Sequence, residues 1–183
     1  MSVRTSQTHP IKIDSVTLPS GGQIGMTFCP GKCDPNARTG RWKRHLDTDL
    51  EAIKNWGACL LVTLVEDHEL QYLKVPDLGD RTRSYGIEWL HLPIVDVSIP
   101  SASFISSWPA HRNNIIERLD RGESMVLHCR GGLGRTGLVA AWLLIESGMK
   151  PVDAVKQVRD ARAHTIETSD QMNFVLTRQS LYP

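Results

Sequence analysis

Between residues 124 and 147 the chain passes from a short apolar strand pattern, through a loop with three glycines, into a helix pattern that is apolar on every side. A helix without a polar face has to be buried, and a strand feeding directly into it belongs to a covered sheet. That sequence of elements restricts the chain to layered α/β architectures.

The remaining patterns extend this reading. Alternation at residues 11–16 and 23–28, around Ser20-Gly21-Gly22, predicts two short strands joined at a turn, and residues 30–40 read as loop. Thr48-Asp49-Leu50-Glu51 has the spacing of a capping box, which predicts a helix through Trp56 stopped by Gly57. The apolar run 58–65 reads as a central strand, 67–73 as a short helix and 87–92 as an alternating strand. Pro109 lacks the N–H that a helix interior needs, so a turn from Ser101 and a separate helix from Pro109 to Arg121 are expected. A strand at 124–128, a loop at 129–135 and a buried helix at 136–147 follow. The last two helices open at Pro151, with Val152, Val155, Val158 and Ala161 on one face, and at Thr168, with capping-box spacing to Gln171. The expected architecture is a central, mostly parallel sheet flanked by helices in one domain over 1–183, with residues 1–10 flexible.

Chemistry concentrates in the loop His128-Cys129-Arg130-Gly131-Gly132-Leu133-Gly134-Arg135-Thr136. Its glycines let the backbone curl so that successive N–H groups point inward as an anion nest, to which the following helix adds its positive end. Cys129 sits at the base, where inward N–H groups, the helix end and Arg135 all favour a nucleophilic thiolate. Arg135 carries a planar fork that fits two oxygens of a phosphoryl group. The backbone of Arg130, Gly131, Gly132, Leu133 and Gly134 is the expected oxyanion cradle, Thr136 the expected donor to the sulfur, and His128 an orienting residue. Two rival readings treat Cys129 as a core thiol, or residues 132–137 as a dinucleotide-binding G-x-G-x-x-G. The second needs a parallel strand with an acidic end roughly 20 residues on, where this chain continues as helices.

His128-Cys129, five residues, Arg135 and Thr136 resemble the signature of the cysteine-dependent protein phosphatases. Cys29-Pro30-Gly31, Glu69-Leu70, Val75-Pro76-Asp77-Leu78, Pro93-Ile94-Val95-Asp96 and Gly131-Gly132-Leu133-Gly134-Arg135 are similar to the dual-specificity branch and its cyclin-dependent-kinase-associated phosphatase family. The resemblance implies a protein tyrosine phosphatase-like fold and hydrolysis of phosphoprotein through a phosphocysteine, without metal or cofactor. It makes Asp96 the proton donor to the leaving oxygen, a role the chemistry also requires, with Asp77 and Asp80 as the other available acids. It makes Gln171 either a placer of the hydrolytic water or, from its spacing, a helix cap. Val97-Ser98-Ile99-Pro100 departs from the family's glycine-containing continuation after the aspartate.

A formal charge of +1 is too even for a surface that grips nucleic acid or anionic lipid as a whole. No membrane span is expected, and four scattered cysteines suit a reducing cytoplasm. The expected partner is a phosphorylated protein; a protein kinase and the oligomeric state stay open. Phosphoinositide or RNA 5′-phosphate hydrolysis, or phosphate binding without catalysis, are the alternative functions. Arg130 is the one cation between Cys129 and Arg135, which favours phosphoprotein over phosphoinositide. The basic stretch 38–45 reads as a solvated loop or a rim for a second acidic group, and Cys29 with Cys33 as structural rather than half of a zinc site. Cys59 reads as a core residue or as a redox partner for Cys129.

Overall fold

The computed structural model describes residues 3–178. Seven strands and seven helices follow one another along it, opening with four strands and closing with three helices. The main sheet contains β1 (Asp14–Thr17), β2 (Gln23–Phe28), β5 (Ala58–Thr63), β6 (Glu88–His91) and β7 (Ser124–Cys129), in the order β1-β2-β7-β5-β6. Only the β1–β2 pair is antiparallel; β2–β7, β7–β5 and β5–β6 are parallel. Strands β5 and β7 are apolar nearly throughout because they occupy the interior of the sheet. A two-stranded ribbon, β3 (Cys33–Asp34) with β4 (Trp42–Lys43), lies within the segment expected to be loop and its basic continuation.

Helix α5 (Gly134–Glu146) is buried at all thirteen positions, as its composition demands. It packs on β2 and β7 and on α4 (Ala102–Asp120), α6 (Pro151–Ala161) and α7 (Ser169–Leu176), while α1 (Leu46–Asn55) and α3 (Leu78–Ser84) pack on each other and on β5 and β6. The seventh helix, α2 (Asp67–Tyr72), follows β5. The sheet order sets the C-terminal ends of β7 and β5 side by side, where the loop after β7 and the helix after β5 converge.

Three helical expectations are corrected. Helix α1 begins at Leu46 with His45 as its cap, not at Thr48, whose hydroxyl meets only His45 Nδ1 at 3.4 Å. The earlier start lets buried Asp49 bind the Gly31 N–H and Arg44 and places Leu46 against Gly31, so tertiary docking overrides the local cap. Helix α4 runs unbroken through Pro109. Pro109 lies on the solvent face, and Trp108 beside it stacks on Trp142 at 4.4 Å and on Phe104 at 5.6 Å, holding both halves to the core. In α6 Val152 is exposed, and Ala154 packs inward with Val155 and Val158.

Of the segment expected to be flexible, Met1 and Ser2 lie outside the described residues, while Arg4 exchanges backbone hydrogen bonds with Arg41 and Lys43, and the His9 carbonyl accepts from Arg44. None of the described helices is long and apolar enough to cross a membrane.

Candidate active site

Cys129 ends β7 and is 4% exposed. The Gly132 N–H donates to its sulfur at 3.2 Å. Gly132 has φ +71, and a Cβ there would fall 2.3 Å from the Thr27 carbonyl, so the loop closes over the sulfur only with glycine at this position. Arg162, at the end of α6, donates to the carbonyls of Gly132 at 2.6 Å and Gly131 at 3.4 Å, and its other end pairs with Asp14 at 2.7 Å. The Gly134 N–H donates to Glu167 at 2.8 Å, so this amide of the expected cradle already has an anion.

Helix α5 starts at Gly134 rather than Thr136, which puts Arg135 in its first turn. Its guanidinium is 1% exposed and bidentate on Glu69, with Nη1 to Oε2 at 2.6 Å and Nη2 to Oε1 at 2.9 Å. Nη1 also reaches the Ile94 carbonyl at 2.9 Å, and Nη2 the Asp96 carboxylate at 2.8 Å. One edge of the fork is therefore fixed by Glu69, and the Nη2–Nε edge is the one a phosphoryl group can take. Burial pushes the Glu69 carboxyl up, but the Arg135 fork and the Glu66 N–H outweigh it and hold Glu69 below the usual range.

Asp96 stands on the loop after β6, half exposed, with its carboxylate between Arg135 and the Val97 N–H. Val97 has φ +52, a left-handed conformation costly for a β-branched residue. This strain is the structural form of the missing glycine. Val95, Val97 and Ile99 are 56%, 61% and 41% exposed beside Asp96.

The supporting residues divide. Buried His128 shares a 2.7 Å hydrogen bond between Nε2 and the Thr63 hydroxyl, which accepts from Trp89 Nε1 at 2.8 Å. Burial pushes the imidazole down to about 3, so it is a neutral orienting group and not a base. Thr136 does not make the expected bond to sulfur; its buried hydroxyl has no hydrogen-bond partner among the described residues. Arg130 lends only its backbone, because its side chain is held by Asp34 at 2.8 and 3.1 Å over the Tyr72 ring. Gln171 is buried, and its backbone N–H takes the Thr168 cap. Its side chain accepts from Glu167 N at 3.0 Å and donates to the Ser98 carbonyl at 3.1 Å, joining α7 to the Asp96 loop.

Cys59 cannot serve Cys129. The β5–β7 register places it at the Ser124 end, roughly 15 Å from Cys129 at strand rise, where it contacts Glu123 and Arg118. A disulfide requires Cα atoms within about 7 Å. In the basic stretch Arg44 is buried on Asp49, while Arg38, Arg41 and Lys43 remain at the surface. Sequence reasoning missed two residues: Arg162, which carries no local signature, and the clamp role of Glu69, which entered only as part of the family resemblance.

A cysteine-ended central strand and an arginine in the first turn of the next helix define the protein tyrosine phosphatase class, and the whole fold agrees. A kinase associated phosphatase (KAP) whose catalytic site cysteine is replaced by serine superposes with a TM-score of 0.79 at 28% identity, covering 91% of this chain and 92% of that one. Tk-PTP in its active form gives 0.62 at 30% identity, over 84% and 88%. Residues 38–149 match the family described as polymorphic toxin system, DSP-PTPase phosphatase. In sequence the chain is 32% identical over 136 residues to cyclin-dependent kinase inhibitor 3 of Rattus norvegicus, covering 73% of this chain. It is also 32% identical over 131 residues to protein tyrosine phosphatase type IVA 3 of Bos taurus, covering 71% of this chain and 69% of that one. The chain belongs to the dual-specificity branch of the cysteine-dependent protein tyrosine phosphatases. It spans 63% of the length of the rat relative.

Proposed function

We propose that this protein is a phosphoprotein phosphatase acting through a phosphocysteine. The observation that carries the reading is the 3.2 Å bond from the Gly132 amide to Cys129 Sγ, next to an arginine clamped by Glu69. The Cys129 thiolate attacks phosphorus in line, the S–P bond forms, and the P–O bond to the substrate breaks. Loop amides and the Nη2–Nε edge of Arg135 hold the equatorial oxygens throughout.

The arriving dianion takes the place on Nη2 that Asp96 occupies. Asp96, in its carboxylic acid form, then gives its proton to the leaving oxygen. In the second half it accepts a proton from water as the water oxygen attacks phosphorus; the S–P bond breaks, and phosphate and the thiolate are regenerated. Gln171, whose Nε2 donates to the Ser98 carbonyl on the Asp96 loop, is the candidate to orient that water, its other reading being the helix cap at Thr168.

Substrate class follows from the rim. Arg130 is neutralised by Asp34, and the residues around Asp96 are exposed and apolar. Such a rim suits the ring and flanking side chains of a phosphopeptide better than an inositol headgroup or an RNA 5′ end, both of which bring further phosphates. In chelating buffer the protein should hydrolyse an aryl phosphate and prefer phosphopeptides over inositol phosphates and 5′-phosphorylated RNA. Cys129→Ser should abolish all turnover. Binding without turnover by the unaltered protein, or preference for either nonprotein class, would replace this reading.

A further inference from the structure

Lys32 is 3% exposed and has no carboxylate partner among the described residues. Its ammonium lies over the Phe28 and Trp42 rings at 4.9 and 4.8 Å and donates to the Arg130 carbonyl at 3.0 Å. A buried ammonium without a carboxylate is costly, and aromatic faces offset only part of that cost. Its one hydrogen bond is to the phosphate loop.

That bond fixes a direction. In a trans peptide the C=O and the next N–H point opposite ways, and no cis peptide occurs among the described residues. The Arg130 carbonyl is drawn toward Lys32 and the Cys29 N–H, on the β2 side, so the Gly131 N–H points away from them. Arg162 treats the next two planes alike through the Gly131 and Gly132 carbonyls. The outcome is visible in the middle plane: its carbonyl lies on Arg162 and its Gly132 N–H on the Cys129 sulfur.

We propose that Lys32 is a positioning residue of the phosphate cup, holding the Arg130 carbonyl so that the Gly131 N–H faces the bound oxyanion while its charge favours the anionic sulfur. The role rests on the phosphatase reading of the Cys129 loop.

The charged and titratable groups around Lys32 are Cys29 at the end of β2, Asp34 on β3, Arg44 after β4, Asp49 of α1 paired to that arginine, and Cys129 at the end of β7. Burial pushes the ammonium down to about 8, against the opposing pull of the Asp34 carboxylate and the Cys129 sulfur. Cys29 is itself pushed up by burial and stays a thiol. The cup therefore loses its rear charge in mildly alkaline solution.

The test compares the unaltered protein with Lys32→Met, which keeps the aliphatic packing, and Lys32→Arg, whose charge does not titrate. Three quantities are read against pH: kcat and KM for an aryl phosphate, tungstate affinity by calorimetry, and Cys129 alkylation by iodoacetate. In the unaltered protein, tungstate affinity and kcat/KM should fall as pH rises through about 8. Lys32→Met should lose about tenfold or more in both at neutral pH, as expected for removing a charged hydrogen bond, and should slow alkylation, while its folding midpoint is unchanged or higher. Lys32→Arg should keep neutral activity and move the alkaline limb upward. A Lys32→Met protein with unaltered tungstate affinity and alkylation overturns the proposal. If that variant does not fold, an unshifted alkaline limb in Lys32→Arg overturns it. Absence of aryl phosphate turnover in the unaltered protein defeats the phosphatase reading, whereas tungstate binding and alkylation still decide the role of Lys32.

Discussion

At the scale of single residues, the site is a competition for one guanidinium. Glu69 takes two nitrogens of Arg135 from one edge, and Asp96 takes Nη2 from the other. Glu69→Gln keeps the shape but weakens the clamp, so kcat/KM for an aryl phosphate should fall about a hundredfold, the cost of a small misplacement of a catalytic group. Steady-state kinetics with a check of the folding midpoint would measure it. Asp96→Asn should act in opposite directions on two readouts. Removing the internal anion should tighten tungstate binding, while turnover of alkyl phosphates collapses and turnover of activated aryl phosphates falls less, since good leaving groups need little proton help. Cys129 and Arg135 were legible in the sequence because one loop carries both. The Glu69 clamp was not, because it is formed across 66 residues of chain and depends on β5 lying beside β7.

Elements show where local rules yield to packing. The capping box at Thr48 and the proline at 109 are sound local signals, yet α1 starts earlier to dock Asp49, and α4 continues because Phe104 and Trp108 are held by the core. Pro109→Ala should therefore raise stability by about 1–3 kcal/mol, because the regained hydrogen bond and relieved clash exceed the roughly 0.4–1 kcal/mol lost through a freer unfolded chain. A denaturant midpoint reads this directly. The Asp96 loop behaves similarly. Val97 sits at φ +52, and left-handed strain of about 1–2 kcal/mol is larger than the entropic cost of glycine, about 0.5–1 kcal/mol. Val97→Gly should stabilise the fold by the difference, against the usual sign for valine to glycine. The short ribbon β3–β4 and helix α3 escaped the sequence reading, since two-residue strands carry no period and α3 offers only Leu78 to mark an apolar face.

At the scale of the whole molecule, the order β1-β2-β7-β5-β6 explains both what was readable and what was not. Alternating strands and helices announced a parallel sheet, but only the register reveals that Cys59 lies at the opposite end from Cys129, that β2 brings Lys32 under the loop, and that α6 brings Arg162 over it. The sheet also makes stability depend on acid. His128 is neutral inside the fold down to about 3, against 6.5 when unfolded, so the unfolded chain binds the extra proton between those values. This group's contribution must weaken as pH falls through that window, and His128→Gln should flatten the slope in urea melts taken across it. The most direct examination of the whole account is a crystal structure with orthovanadate. Vanadium should be bonded to the Cys129 sulfur, its oxygens on the loop amides, Gly131 N–H included, and on the Nη2–Nε edge of Arg135, with Asp96 displaced from the guanidinium. Vanadate bound elsewhere, with Asp96 still paired to Arg135 and the sulfur untouched, would contradict it.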